Sequence, residues 1–307
     1  MPRALVYNSQ GGPEVLELVE VDSVFPQVGQ VSVDIKAAGL NPFDFKLRSG
    51  IIPMPVEFPK VIGSDFAGVV TGVSANASYA DGRPIHIGDE VLGWIDTGSM
   101  RDQSVVPITN IARKPADLGW ELAGSLTTAA LTAKASIDLM QPQRGDTVVV
   151  SAAAGAVGLV YSQLALKAGA RVIGTASAGN HEYLRALGVE PVNYGAGLVE
   201  RIQALATNGV TFAQDNWGRE FIDDMLELGL PPEKICTIVD HKATAELGLS
   251  NPGRYERSAA TLEQLAQDFA TMDLVLPIER AFALTDFREA FELLESRHLR
   301  GKVVLIP

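Results

Sequence analysis

Between the apolar run "TVVV" and the helix-like stretch "LVYSQLALKAGA" lies "SAAAGAVG", residues 151–158, whose spacing could do chemistry. Ala153, Gly155 and Gly158 fall on the three positions of G-x-G-x-x-G. In that pattern the middle glycine lets backbone approach a pyrophosphate and the third permits close helix–strand packing. The first relieves a tight turn, a task alanine can do if it stays at negative φ. The stretch also reads as A-x-x-G-x-x-G, with Ala152, Gly155 and Gly158 holding the frame. An anion there would sit at the positive end of a helix starting near Ala156. Ala152, Ala154, Gly155, Ala156, Val157 and Gly158 are the cofactor-binding residues expected here. A small-residue packing corner is the competing reading, and the strand–turn–helix setting favours the dinucleotide.

The end of the following strand reports which dinucleotide. A carboxylate there would grip the ribose 2′-hydroxyl of NAD, but "GTASAGNH" offers Thr175, Ser177, Asn180 and His181, with no acid before Glu182. A 2′-phosphate is tolerated, and NADPH is the expected cofactor. Ahead of all this, "NPFDFKLR" carries Lys46 and Arg48, able to polarise a substrate oxygen or meet a cofactor phosphate; a solvated basic pair is the plainer alternative.

The elements that must position these residues change character along the chain. Up to about residue 118, "QVSVDIKAAGL" alternates with period two, and "FAGVVTGVSA" and "GDEVLGWI" are short β-rich pieces bounded by Gly, Asp and Pro, which predicts an antiparallel, barrel-like region. "GWELAGSLTTAALTAKASIDLM" then predicts a helix. From "DTVVVSA" (146–152) strands and helices alternate through "KICTIVD", the rhythm of a parallel sheet covered by helices. In the tail, "AATLEQLAQDFATM" and "TDFREAFELLESRH", the latter opened by a Thr/Asp cap, read as helices. "GKVVLIP" reads as a strand that completes the N-terminal sheet. The fold class is α/β.

With 307 residues, 47 % hydrophobic and 20 % charged, the chain has the composition of a packed enzyme-sized protein, and its length suggests two domains. A formal charge of −12 without any basic run argues against nucleic acid and anionic membrane surfaces. No signal-peptide pattern or membrane-spanning run is visible, so the expected location is cytoplasmic. Cys236, the single cysteine, excludes an intrachain disulfide and a multi-cysteine zinc site, and in "KICTIV" reads as a buried strand residue. The histidines at 86, 181, 241 and 298 are scattered singly and read as surface or core residues.

Taken in order, "AAGLNPFDFKLRSG" (37–50), "FPKVIGSDFAGVV" (58–70), "GDEVLG" (88–93), "TTAALTA" (127–133), "SAAAGAVG" and "RGKVVLIP" resemble the zinc-independent quinone oxidoreductases of the medium-chain dehydrogenase/reductase superfamily, zeta-crystallin-like proteins included. The resemblance implies a GroES-like β-rich catalytic domain over 1–118, completed by 260–307, and a Rossmann doubly wound domain over 119–259 that binds NADP. It puts the active site in the cleft between the two and implies a homodimer made by pairing sheet edges, with "KICTIV" or a following strand as the edge. Asn41 would donate a hydrogen bond beside nicotinamide and substrate, and Asp44 would position the loop; a turn without function is the alternative for Asn-Pro followed by Asp. Lys46, read from its own chemistry as a group able to polarise a substrate oxygen, completes the expected catalytic set. Thr128, beside Thr127, would lie on the nicotinamide side, although threonines in an Ala-rich helix can bond their own backbone. Tyr194 and Ser177 would lie near the adenosine phosphate, and Lys302 on the cofactor side, by its ammonium or by its backbone.

Metal-dependent relatives hold zinc on Cys and His in the blocks that here read Asn41-Pro42-Phe43-Asp44 and Gly63-Ser64-Asp65, so no metal is expected. Without a Lewis acid, hydride delivery should go where the negative charge can delocalise, onto a quinone or an α,β-unsaturated carbonyl compound. An enoyl or 2-alkenal reductase, and a non-catalytic NADPH-binding sensor or crystallin-like protein, are the alternatives. Three departures from the family pattern concern the substrate: Lys46 and Ile52 where some relatives have tyrosines, "GSMRDQSVVP" (98–107) in place of a small-aromatic loop, and a short segment between Asp240 and Ala259.

Overall fold

The computed structural model describes residues 1–96, 98–253, 257–296 and 299–307. The chain forms two compact units, Met1–Leu131 with Arg257–Pro307, and Thr132–Glu256. His298 and the end of "TDFREAFELLESRH" lie outside the described residues. Among the described residues no helix is long and apolar enough to cross a membrane.

The first unit opens with β1 (Arg3–Tyr7) folded antiparallel on β2 (Leu16–Glu20). The long β3 (Gln30–Gly39) leads into the short helix α1 (Pro42–Arg48), after which β4 (Lys60–Val61) returns to β1. β5 (Asp65–Val73) pairs with β3, β6 (Glu90–Trp94) with β5, β7 (Gln103–Pro107) with the other side of β3, and β8 (Ile111–Arg113) with β6. "GSMRDQSVVP" is thus only half a loop: 103–107 form β7, where Val105 and Val106 suit a strand, and in the loop before it Ser99 and Met100 are fully buried and Asp102 binds the Arg3 guanidinium at 2.9 Å.

The single helix expected over "GWELAGSLTTAALTAKASIDLM" is two, α2 (Trp120–Ala123) and α3 (Leu126–Met140). The break is tertiary in origin. The Gly39 N–H donates to the Gly124 carbonyl at 2.8 Å, and a Cβ on Gly124 would lie 2.6 Å from that of Ala37. Backbone therefore crosses β3 too closely for a regular helix to continue.

The second unit alternates strictly: β9 (Thr147–Val150), α4 (Ala156–Lys167), β10 (Arg171–Thr175), α5 (His181–Ala186), β11 (Glu190–Val192), α6 (Leu198–Leu205), β12 (Phe212–Asp215), α7 (Arg219–Glu227), β13 (Ile235–Thr237) and α8 (His241–Leu247). Its strands are all parallel, in the order β11-β10-β9-β12-β13, so the winding reverses between β9 and β12. Ligands of open parallel sheets sit outside the carboxyl ends of the strands at such a reversal. Val149, Ile173, Ala213 and Ile235 of the sheet pack with Ile202, Phe221, Ile222 and Met225 of α6 and α7, each of these side chains larger than alanine contributing about 1.5–3 kcal/mol. Beyond β13, Ser250 adds a single parallel bridge to Cys236. Burial raises the Cys236 thiol to about 11, as suits an inert strand residue.

The tail returns to the first unit through α9 (Ala259–Ala270), β14 (Ile278–Ala283), α10 (Phe287–Glu295) and β15 (Lys302–Ile306). β15 runs parallel to β14 and antiparallel to β3, with Val304 opposite Gly39 and Leu305 opposite Ala38. α10 buries Phe287, Ala290, Phe291 and Leu294, one face at helical spacing. Asp286 stands at its N-cap, but no helix N–H reaches its carboxylate, which accepts instead from the Thr285 hydroxyl at 3.3 Å.

Candidate functional site

In the second unit the chain leaves β9 and turns through residues 151–155 into α4. Ala152, at φ 46°, takes the left-handed conformation that relieves the turn, while Ala153 does not. The Ala153 methyl is fully buried against Gly174 of β10, where a Cβ would come within 2.6 Å of it. Thr175 holds the turn from behind: its hydroxyl accepts from the Ala152 N–H at 3.2 Å and its carbonyl from the Ala153 N–H at 2.9 Å.

The two glycines differ in what surrounds them. A Cβ at Gly158 would lie 2.4 Å from the Ala152 carbonyl oxygen and 2.9 Å from the Ala153 Cα. At Gly155 the only atom within 4 Å would be the Ala152 carbonyl oxygen, at 3.2 Å. Gly158 is therefore closed by the protein's own backbone on several sides, whereas Gly155 is crowded by one carbonyl oxygen alone among the described residues. Gly155 is also the N-cap of α4, whose first turn has no acidic residue and no side-chain cap. The N–H groups from Ala156 to Gly158 are left for an anion, so the turn fits a dinucleotide pyrophosphate.

Behind the turn lies a polar network that sequence reasoning missed. Asp215, fully buried at the end of β12, accepts from the Ser151 hydroxyl at 3.1 Å, the Trp217 and Gly218 N–H groups at 2.9 Å and the Thr237 hydroxyl at 2.8 Å. Burial raises its carboxyl, and these four donors oppose the shift. Ser151 also accepts from the Asn216 N–H at 2.7 Å. The signal in the sequence was an acid ending an apolar strand, "FAQD". Of the remaining expected contacts, Ser177 is exposed beyond β10 and accepts from Asn180 at 3.2 Å, and Tyr194 is 56 % exposed.

The first unit brings Asn41, Asp44, Thr128 and Lys302 together with Asp65. Asp44 reaches back from the first turn of α1 to accept from the Asn41 N–H at 2.7 Å. The Lys302 ammonium donates to the Leu40 carbonyl at 2.8 Å and the Asn41 carboxamide oxygen at 2.6 Å, and stands 3.8 Å from Asp65. The cluster is thus held together by the lysine's ammonium. Neither threonine bonds its own backbone: Thr128 donates its hydroxyl to Asp65 at 2.5 Å, and Thr127 donates to the Gly93 carbonyl at 2.9 Å. The Thr128 N–H also reaches Asp65, at 3.1 Å, so this carboxylate caps the first turn of α3.

Burial raises the Asp44 carboxyl to about 7; the Asn41 N–H opposes the shift, Asp65 adds to it, and Lys302 and Arg257 counter it. Burial lowers the Lys302 ammonium, against the pull of Asp65 and Asp44. Among the described residues one polar atom of this cluster has no partner, the buried Asn41 Nδ2. Lys46 is half-buried two residues beyond Asp44, on another face of α1. Arg48 is not solvated, as a basic surface pair would require, but fully buried; it donates to the Gly11 carbonyl at 3.1 Å and to Glu295 at 2.6 Å, and its guanidinium lies 5.1 Å from the Phe291 ring centroid. It fastens the end of α1 to α10.

Among the described residues no group of three or more His, Cys, Asp or Glu is placed to hold a metal ion. The donor set of this cluster does not fit zinc either, because a lysine ammonium already occupies the centre, against Asn41 and Asp65.

A family described as the alcohol dehydrogenase GroES-like domain matches residues 27–116, and one described as zinc-binding dehydrogenase matches residues 92–305. Quinone oxidoreductase 1 of Escherichia coli is 26 % identical, with 100 % of both chains covered. The fold superposes on the quinone oxidoreductase from Coxiella burnetii with a TM-score of 0.88 at 28 % identity, over 100 % of this chain and 99 % of that one. It also superposes on a mycobacterial protein complexed with NADPH, with a TM-score of 0.86 at 26 % identity over 100 % of both.

Proposed function

The chain belongs to the zinc-binding dehydrogenase family, and on that premise we propose that it is an NADPH-dependent reductase that transfers hydride, without zinc, to quinones or other α,β-unsaturated carbonyl compounds. The observation that carries this reading is the Lys302 ammonium, bonded to Asn41 and set against Asp65 in the blocks where metal-dependent relatives bind zinc. A cluster so built offers a hydrogen-bond donor, not a Lewis acid. The buried Asn41 Nδ2 is that donor, and it suits a carbonyl or quinone oxygen whose charge spreads over a conjugated system. When bound, NADPH supplies the hydride. The turn at 152–158 holds its pyrophosphate on N–H groups, and the acid-free end of β10 accepts a 2′-phosphate. Exposed Phe43, Ile51, Met54 and Phe58, on and just after α1, add apolar surface suited to a ring substrate.

The test is NADPH oxidation with 1,4-benzoquinone, 9,10-phenanthrenequinone, 2-alkenals and ring enones, with NADH run in parallel. Turnover of the quinones or enones, faster with NADPH, is expected. Tight NADPH binding without turnover of any of them would shift the protein to a non-catalytic binder, and faster reaction with NADH would overturn the cofactor assignment.

A further inference from the structure

Arg257 is half-buried two residues ahead of α9, where Ser258 caps the helix by accepting from the Thr261 N–H at 3.2 Å. The helix is fastened in turn to the sheet, because Glu263 accepts from Arg113 of β8 at 3.0 Å. The guanidinium of Arg257 therefore stands on a fixed mount. From there it donates to the Ser64 hydroxyl at 3.1 Å and lies 5.8 Å from the ring centroid of Trp94, a cation against an aromatic face.

What sets this arginine apart is the charge of its partners. The sequence holds 37 acidic residues against 25 basic ones, and the buried cations of the same unit each meet a carboxylate: Arg48 meets Glu295, Lys114 meets Glu90 and Lys302 meets Asp65. Among the described residues the partners of Arg257 are a hydroxyl and a ring, both neutral. The single bond to Ser64 uses one of several N–H donors, and the rest of the fork suits an anion.

The surroundings tie this cation to the cluster around Asn41. Ser64 directly precedes Asp65, and Trp94 is paired opposite Asp65 across β5 and β6. Asp65 is the carboxylate that holds Thr128 and Lys302, and the charge of Arg257 is felt as far as Asp44. Lys302 offsets Asp65, and Asp44 keeps its proton below about pH 7. Below that pH the guanidinium remains as unmatched positive charge.

We propose that Arg257 selects substrates that carry an acidic group, pairing its guanidinium with a carboxylate set apart from the reacting carbonyl. The inference rests on the reductase reading above and adds the substrate class, an α,β-unsaturated carbonyl compound bearing a carboxylate. A planar fork meets both oxygens of a carboxylate at once, and the Trp94 ring beside it supports the fork. A phosphate of the cofactor is the other anion that a guanidinium takes, and kinetics separate the two.

The test is steady-state reduction by NADPH of 4-carboxybenzylideneacetone and of its methyl ester, with menadione as a neutral quinone, in the wild type, Arg257→Gln and Arg257→Lys. The wild type should favour the acid over the ester by about tenfold or more in kcat/KM, mainly through KM, although the ester is the more electrophilic enone. Arg257→Gln should abolish that preference, and Arg257→Lys, a point charge without the fork, should keep only part of it. Reduction of menadione alone, a wild type without preference for the acid, or an Arg257→Gln that slows acid and ester alike would overturn the proposal and leave the reductase reading standing. A raised KM for NADPH in Arg257→Gln, with the acid-to-ester ratio unchanged, would overturn it by giving the guanidinium to a cofactor phosphate. If the wild type reduces neither enone nor menadione, the reductase reading falls and the substrate assignment with it.

Discussion

The Lys302 ammonium lies 2.6 Å from the carboxamide oxygen of Asn41, and this contact decides which way round that amide is held. An ammonium only donates, so it must take the oxygen and leave the Asn41 NH2 pointing away, where it is buried without a partner. Lys302→Met keeps the length of the side chain and removes the donor. Stability should fall by about 3 kcal/mol, because Asp65 is left buried without its cation. Quinone reduction should lose at least about tenfold in kcat/KM, and urea titration with steady-state assay separates the two effects. An unchanged kcat/KM would remove Lys302 from the site.

The Asp44 carboxyl, raised by burial from 3.8 to about 7, makes stability depend on pH. The folded state holds this proton to a higher pH than the unfolded chain does. It therefore binds more protons between the two values, and stability falls as pH rises through that window. Asp44→Asn keeps a carbonyl oxygen for the Asn41 N–H and has no proton to lose. From pH 5 to 8 the wild type should lose about 2 kcal/mol more than the variant. Parallel curves for the two proteins would contradict the assignment.

Gly155 and Gly158 should separate binding from folding. Alanine at 158 places its methyl 2.4 Å from a backbone oxygen, so the melting temperature of Gly158→Ala should drop sharply. Alanine at 155 meets only the Ala152 oxygen, at 3.2 Å, so Gly155→Ala should melt much closer to the wild type than Gly158→Ala does. Its methyl enters the space assigned to the pyrophosphate, and NADPH should bind about tenfold more weakly or worse.

Ala152 spends energy at φ 46° that glycine would not. A non-glycine residue there costs about 1–2 kcal/mol, partly offset by the greater freedom that glycine has in the unfolded chain. Ala152→Gly should therefore stabilise the protein by about 0.5–1 kcal/mol in urea titration, with the turn and its NADPH affinity preserved.

The parallel-sheet unit was largely legible because its signals are local. "TVVV" is an apolar run buried on both faces, and Gly155 and Gly158 mark a turn whose geometry involves only neighbouring residues. The cluster in the other unit was half legible. Asn41 and Asp44 were marked by the family resemblance, their own residues reading as a turn, but Asp65 acquires meaning only from Thr128, far along the chain, and from Lys302 near its end. Arg48 looks like a surface charge beside Lys46, until Phe291 and Glu295 close over it. The break at Gly124 and Ser125 depends on a close approach to Gly39 that no helix propensity encodes. Contacts between distant segments were what the residue pattern lacked.

The pairing of β15 with β3 sets an order of events during synthesis. Asn41 is made early, yet the ammonium that orients it belongs to residue 302, and Arg48 waits for Glu295. The parallel-sheet unit, residues 132–256, is complete in sequence well before either arrives. Of these segments the earlier-made is therefore the later to settle: a nascent chain stalled before residue 302 holds the whole parallel-sheet unit while Asn41 and α1 still lack the contacts that fix them.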